Sequence, residues 1–374
     1  LANWKNFKNA DVELSKRTFV VGPNASGKSN FLDAFRFLHD LARDGGGLQS
    51  AVALRKNVSA IRSLSARRNP QVGIKVRLGN NDRDDVWTYE LRFSQNNNRV
   101  PQVSFEEVKH FDEVIITRPT PDDETDSERL TQTFLEQVNT NRQFRDISEF
   151  FGSIRYLHVV PQLIREPDRS VGKRNDPFGG DFLEQLAATP KHILESRLER
   201  IRSALKIAVP QLAQLDVNRD DRGTAHLRGR YEHWRPDAGW QTEDQFSDGT
   251  LRLLGLLWAI LDGTGPLLLE EPELSLNTNV VKRIPEIIYK MQRKNDRQVL
   301  LSTHSGDMFV DSGVSPEEVL VITPAEEGSS IRIAALIAEV RNVLAANENL
   351  SEAVMPLVAP RNLSQLPLFY DLAK

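Results

Sequence analysis

Apolar and polar positions change their spacing several times along this chain, and each change predicts an element. In VELSKRTFVV a hairpin-like alternation gives way to the short apolar run of a strand, and GPNASGKS follows. Phe31, Leu32, Phe35, Leu38 and Leu41 then recur at i, i+3 and i+4, one face of a helix, and Gly45 to Gly47 end it. QVGIKVRL, DVWTYELRF and PQVSFEEVKHF alternate apolar with polar residues across Asn- and Asp-rich turns, which predicts a half-exposed antiparallel sheet inserted after that helix. The acidic, proline-containing TPDDETDSE reads as a solvated connector.

From Arg129 the spacing is helical through LTQTFLEQVNTNRQFRDISEFF, and IRYLHVVPQ reads as a buried strand ending at Pro161. DFLEQLAATPKHILESRLERIRSALKIAV is a second helical block, broken at Pro190 and closed at Pro210. Two short strands, near LAQLDVNR and TAHLRGRY, are expected to pair. The last third alternates helix and strand: SDGTLRLLGLLWAILDG, PLLLEEPE, NVVKRIPEIIYKMQRK, RQVLLSTHS and EVLVITP. Strands that are almost wholly apolar, set between helices, predict a parallel sheet covered on both faces. The expected divisions fall at 1–162, 163–240, 241–325 and 326–374.

Composition removes several classes. With 39% hydrophobic and 27% charged residues the 374-residue chain reads as globular, and no run approaches the ~18 apolar residues of a membrane span. LANWKNFKNADVEL lacks the basic and apolar regions of a secretory signal. Zero cysteines leave no disulfide, zinc-thiolate site or thiol nucleophile, in keeping with a cytoplasmic protein. A net charge of −4 supplies no general attraction to nucleic acid, so DNA would need a local basic patch.

The candidate chemistry starts at GPNASGKSN. It fits G-x-x-x-x-G-K-[ST] between a predicted strand and a predicted helix, so backbone amides can approach phosphates. Gly22, Asn24, Ala25, Ser26, Gly27, Lys28, Ser29 and Asn30 are the expected nucleotide contacts; Lys28 supplies a point charge and Ser29 a ligand for Mg2+. A P-loop enzyme also needs a carboxylate at the end of a neighbouring strand. PLLLEEPE offers Glu270 on the metal side and Glu271 to orient or deprotonate water, whereas Glu273 reads as a solvated cap. FSDGTLRLL sets Ser247 and Gly249 at a helix start, where a hydroxyl and free amides can face an anion. VLLSTHS places His304 after the next strand, near a γ-phosphate, and VVPQ places Gln162 at a strand end within reach of the metal. His304 and Gln162 mean little singly; their order along the chain gives them weight.

That order resembles the ATP-binding-cassette ATPases of the RecF/SMC/OLD superfamily, in particular the AAA-15/AAA-21-like "AAA family ATPases". NWKNFKNADVEL is similar to the opening strand and hairpin, and FSDGT, EEPE and STHS mirror the later motifs. The resemblance implies an α/β fold: a P-loop ABC-type ATPase head with a mainly parallel core sheet, an antiparallel β insertion and a short helical insertion. It makes Gly22, Asn24, Gly27, Lys28 and Ser29 the Walker A motif, Gln162 the Q-loop, and Ser247 and Gly249 the signature. Glu270 and Glu271 become Walker B, His304 the switch, and Asn277 occupies the D-loop position. ATP would be sandwiched between Walker A of one subunit and the signature of another in a two-fold dimer or a higher assembly. Too few residues follow His304 for the Toprim nuclease of the OLD type, and Asp181 to Val209 is far too short for the coiled coil of a true SMC protein.

Three readings of the purpose remain open on sequence. One is an ATPase subunit of a two-component antiphage-defence or DNA-damage system gating a separately encoded effector. Another is a stand-alone DNA clamp using Arg55, Lys56, Arg62, Arg67 and Arg68, a cluster that equally reads as a solvated loop. The third is the nucleotide-binding subunit of a transporter, against which the separate β insertion speaks. The apolar tail NLSQLPLFYDL is expected to dock on its own core, with a partner-binding peptide as the alternative.

Overall fold

The computed structural model describes residues 1–66, 69–80, 83, 86–166, 176–206, 208–232, 239–310 and 313–359. Arg67, Arg68 and the tail segment 362–372 lie outside the described residues.

The strands, in chain order, are β1 Ala2–Trp4, β2 Phe7–Asn9, β3 Arg17–Val21, β4 Val72–Leu78, β5 Trp87–Gln95, β6 Pro101–His110, β7 Glu113–Arg118 and β8 Arg155–Leu157. They continue with β9 Leu212–Arg219, β10 Ala225–Tyr231, β11 Trp240–Thr242, β12 Leu267–Glu270, β13 Val299–Thr303, β14 Val319–Ala325 and β15 Gly328–Ile333. A six-stranded core sheet has the order β15-β14-β3-β13-β12-β8. Within it β14, β3, β13, β12 and β8 run parallel, and β15 closes one edge antiparallel. A six-stranded antiparallel sheet, β2-β1-β4-β5-β6-β7, and a three-stranded one, β11-β10-β9, complete the fold.

The near-continuous apolar strands follow from burial on both faces. Val20, Leu268, Leu300, Leu320 and Ile322 join one core with the helix Lys28–Ala42, the helix Arg145–Gly152 and the antiparallel sheet. Their neighbours Phe19, Val21, Leu267, Leu269, Val299, Leu301, Val319 and Val321 join the second, under the helices Asp248–Leu261 and Ile284–Asn295. The period-2 alternation of strand side chains thus divides the core sheet between two hydrophobic cores. The inserted sheet is larger than its own alternating strands, because the N-terminal β1 and β2 extend it at one edge.

Three local expectations are corrected. The buried strand at IRYLHVVPQ is only Arg155–Leu157 and half-buried; beyond it His158 N and Val160 N donate to Pro177 O and Phe178 O, and Pro161 opens the short helix Pro161–Ile164. The helical spacing from Arg129 yields an α-helix only at Arg145–Gly152, with 3-10 turns at Ser127–Thr131 and Asn141–Phe144; between them the buried Glu106 carboxylate takes the amides of Phe134 and Leu135. The connector TPDDETDSE contains the helix Pro121–Thr125, whose Asp123 is buried against Arg118. Among the described residues no helix is long and apolar enough to cross a membrane.

Candidate functional site: a P-loop at the ends of the core strands

The strand β3 stops at Val21, and the chain folds into a loop before the helix begins at Lys28. Ala25 and Gly27 take left-handed backbone angles, φ 62° and 107°. A Cβ on Gly27 would lie 2.0 Å from Asn6 Nδ2, so glycine alone fits there. Asn6, in the turn between β1 and β2, braces the loop from behind: its Nδ2 donates to Ser26 O and Ser329 Oγ, each at 2.6 Å, and its Oδ1 accepts from Asn30 Nδ2 at 2.8 Å. Asn24, Ala25 and Ser29 are exposed along the loop, while Ser26, Gly27 and Lys28 are buried.

Lys28 Nζ donates to the carbonyls of Gly22 at 2.9 Å and Pro23 at 3.2 Å, and lies 3.4 Å from His304 Nδ1. Burial lowers the pKa of its ammonium, and the charges of Glu271, Glu270 and Glu273 oppose that shift. His304 Nε2 lies 2.9 Å from Glu271 Oε1. Ser29 Oγ donates to Glu270 Oε1, and the Tyr156 hydroxyl donates to Glu270 Oε2. Lys28, His304 and Glu271 therefore form one contact chain, and Ser29, Glu270 and Tyr156 a second.

Glu271 follows Glu270 at the end of β12 with φ 44°, an uncommon angle for a residue with a side chain. Its amide donates to Ser302 O at 3.0 Å. Glu273 corrects the expected solvated cap, being only 8% exposed. It accepts from Thr303 Oγ1 at 2.6 Å and from His304 N at 3.0 Å, so it fixes the backbone that carries the imidazole. Burial raises its carboxyl pKa, and these two hydrogen bonds oppose the shift.

The expected signature residues, Ser247 and Gly249, lie at the start of the helix Asp248–Leu261. Ser247 caps it by accepting from Thr250 N at 3.1 Å and is exposed. A Cβ on Gly249 would lie 2.6 Å from Ser275 O, so glycine lets the 271–277 turn approach. Asn277 caps the next short helix through Asn279 N at 2.9 Å. Gln162 sits in the helix Pro161–Ile164 rather than at a strand end, and its Nε2 donates to Asp248 Oδ2 at 3.5 Å. Arg165 holds the same loop, 2.6 Å from both Asp248 Oδ1 and Phe246 O. Among the described residues no hydrogen bond or ion pair joins residues 247–249 to the P-loop.

The cradle fits a nucleotide polyphosphate with its cation. Ser26 Oγ is buried without a partner, and the Lys28 ammonium is held by two loop carbonyls and the His304 imidazole. The Ser29 hydroxyl and the Glu270 carboxylate meet as a hard oxygen pair of the kind Mg2+ takes alongside phosphate oxygens. The candidate DNA cluster fares differently. The Arg55 side chain is only 6% exposed and holds Asp33 at 2.8 Å and Asp40 at 2.9 Å, so it ties the P-loop helix to the next helix rather than facing phosphates.

Sequence reading missed Asn6, Tyr156, His158 and Arg165. Tyr156 was detectable as a polar-tipped residue in a strand parallel to the EEPE strand, with His158 just past that strand's end. Asn6 and Arg165 had no local signal, because their partners are far along the chain.

A glycine loop after a buried parallel strand, paired carboxylates at the end of the next strand but one, and a serine-capped helix define an ATPase fold of the ABC type. The chain belongs to the family described as "AAA domain, putative AbiEii toxin, Type IV TA system", whose model matches residues 17–311. No protein of curated function matches its sequence. Among solved structures, an SMC head bound to the C-terminal winged-helix domain of ScpA is 14% identical, covering 88% of this chain and 95% of that one with a TM-score of 0.50. The SMC head domain from Thermotoga maritima is also 14% identical, covering 89% and 96% with a TM-score of 0.41. An SMC head with an extended coiled coil from Pyrococcus furiosus, bound to a C-terminal domain of ScpA, is 12% identical, covering 92% and 97% with a TM-score of 0.44. The first of these likenesses concerns the fold alone.

Proposed function

We propose that this protein is a Mg2+-dependent ATPase that switches by ATP-driven pairing of its heads and serves as the ATPase and sensor subunit of a two-component system, gating a separately encoded effector in antiphage defence or DNA-damage response. Lys28 takes the β- and γ-phosphate oxygens, giving up its carbonyl partners. Ser29, Glu270 and Gln162 hold Mg2+, which supplies charge neutralisation at the transferring phosphate. Glu271 orients the attacking water and accepts its proton, and His304, held by Glu273, contacts the γ-phosphate. Ser247 and Gly249 act in trans on the nucleotide of a second copy.

The observation that carries this reading is the separation within one chain. Lys28, His304 and Glu271 are already in mutual contact, while the exposed Ser247 belongs to a different hydrogen-bonded group. A second copy placed head to head supplies the missing donors twice over, in two equal sites. The family description, which refers to a toxin–antitoxin system, supports a two-component role. We place the protein in the cytoplasm, without a membrane partner. The stand-alone DNA clamp is the weaker alternative, since burial of Arg55 removes one of its five cations; a transporter subunit ranks below it.

The test is the solution mass of wild type and Glu271→Gln, each with and without ATP and Mg2+. ATP should drive the variant into a stable dimer or higher assembly, and the wild type should revert as ATP is consumed. A mass indifferent to nucleotide in both proteins overturns the switch.

A further inference from the structure

The metal-side carboxylate raises a question that the proposed nucleotide site leaves unanswered. Glutamate is one methylene longer than aspartate and carries one more rotatable bond, so its oxygens are harder to hold in place. Here both oxygens have a designated partner. Glu270 Oε1 accepts from Ser29 on the P-loop helix, and Glu270 Oε2 accepts from Tyr156 on β8. The register sets Tyr156 beside Leu268, two residues short of Glu270. From there a tyrosine can reach the strand's end, and His158 reaches it as well, with Nδ1 3.1 Å from the Glu270 carbonyl oxygen.

The phenol is itself fixed. The Arg36 guanidinium lies 4.2 Å from the centre of the Tyr156 ring, and Arg36 sits two turns beyond Ser29 on the same helix. A phenol carries its proton at neutral pH, so the hydroxyl is a donor to the carboxylate beside it. Ser29, Glu270, Tyr156 and Arg36 thus close a ring of contacts that starts and ends on one helix.

We propose that Tyr156 is the positioning residue of the metal site: its hydroxyl holds Glu270 Oε2, so that Oε1, beside Ser29, is the oxygen presented to the divalent cation. This rests on the nucleotide site proposed above. Outer partners of this kind commonly change metal affinity about 10- to 100-fold when removed.

The experiment titrates Mg2+ into full-length wild type and Tyr156→Phe in the presence of ATP, following nucleotide binding by calorimetry, with parallel titrations of ATP in EDTA. Tyr156→Phe keeps the ring and its contact with Arg36. It should raise the Mg2+ concentration for half-maximal binding about 10-fold or more. Affinity for ATP in EDTA should stay within about twofold, a split that damage to the loop as a whole would not give. In a Glu270→Asp background, whose shorter carboxylate withdraws from the phenol, Tyr156→Phe should add almost nothing. An unchanged Mg2+ requirement, an equal loss in EDTA, or full additivity in the Asp background overturns the inference while leaving the ATP site standing. A wild type that binds ATP neither with Mg2+ nor in EDTA overturns the nucleotide site, and the role of Tyr156 falls with it.

Discussion

Two carboxylate clusters in this protein show how the same side chains serve opposite ends. In the antiparallel sheet, Glu106 accepts from the amides of Phe134 and Leu135, from the Tyr89 hydroxyl and from Arg118. Asp123 receives Arg118 through two nitrogens and also the amide and hydroxyl of Thr120. The remaining Arg118 donors reach Gln132 O at 2.7 Å and Arg129 O at 2.9 Å, and its guanidinium lies 3.9 Å from the centre of the Phe134 ring. None of the polar side-chain atoms of Tyr89, Glu106, Arg118 or Asp123 lacks a partner. At the ends of the core strands the count does not close: Ser26 Oγ, Ser302 Oγ and Glu273 Oε2 are buried without partners. A closed cluster holds a fold together; an open one has room for hydrogen bonds to a ligand.

The sharpest way to break this contrast is to remove one carboxylate from the open cluster without changing its shape. Glu271→Gln should lower ATP turnover about 10²- to 10⁴-fold, the range for loss of a general base, while leaving ATP binding intact. Steady-state hydrolysis together with equilibrium nucleotide binding decides it. A variant that hydrolyses normally would make Glu271 a bystander and shift the chemistry to another group.

Removing the central cation of the closed cluster should leave chemistry alone and damage stability. Arg118→Ala strands Glu106 and Asp123 in the interior, and breaking a buried pair on one side typically costs about 3–5 kcal/mol. Urea unfolding of the full chain should register that loss. Under folding conditions turnover per folded molecule should match wild type. A cost below about 1 kcal/mol would mean that water reaches the cluster and that it is not closed.

The contrast also explains what could be read from sequence. The strand–loop–helix geometry at 17–42 was legible because it is local: the strand, the turn residues and the helix start are contiguous, and only glycine fits at position 27. The meeting of Glu270, Glu271 and His304 with Lys28 and Ser29 was legible because parallel strands deliver their ends to one edge of the sheet. Glu273 was misread because polarity after a strand suggested solvent. In fact the turn at Glu271 folds the chain back over Thr303 and His304. Asp123 in the connector 120–128 was misread for the same reason: it is paired with Arg118 inside the fold, while its charged neighbours are exposed as expected. Asn6 and Arg165 act across long separations, and nothing local marks such a partner.

Acid provides the smallest and most selective probe of the closed cluster. The hydrogen bonds from Arg118, foremost, hold the Asp123 carboxyl well below the ordinary range, against the opposing effect of burial. Below the unfolded value, near ~3.9, the unfolded chain binds a proton that the folded chain refuses. Stability therefore rises with pH through that window, is fully present above it, and is lost as pH falls toward the folded value. Glu106 works in reverse: burial raises its pKa, so the folded state takes up a proton where the unfolded state has already lost one, and the strain it causes near neutral pH is relieved on acidification. The two contributions have opposite signs and occupy different windows, Asp123 below the ordinary carboxylate range and Glu106 above it. Asp123→Asn should therefore reduce the slope of stability against pH below about pH 4 by at most about 1.4 kcal/mol per pH unit, one proton's worth, and leave the slope above about pH 5 unchanged. Urea midpoints measured at half-unit steps from low to neutral pH resolve both limbs. If the acid limb of Asp123→Asn overlays wild type, that carboxyl is not depressed in the fold, and the Arg118–Asp123 contact adds no pH-dependent stability.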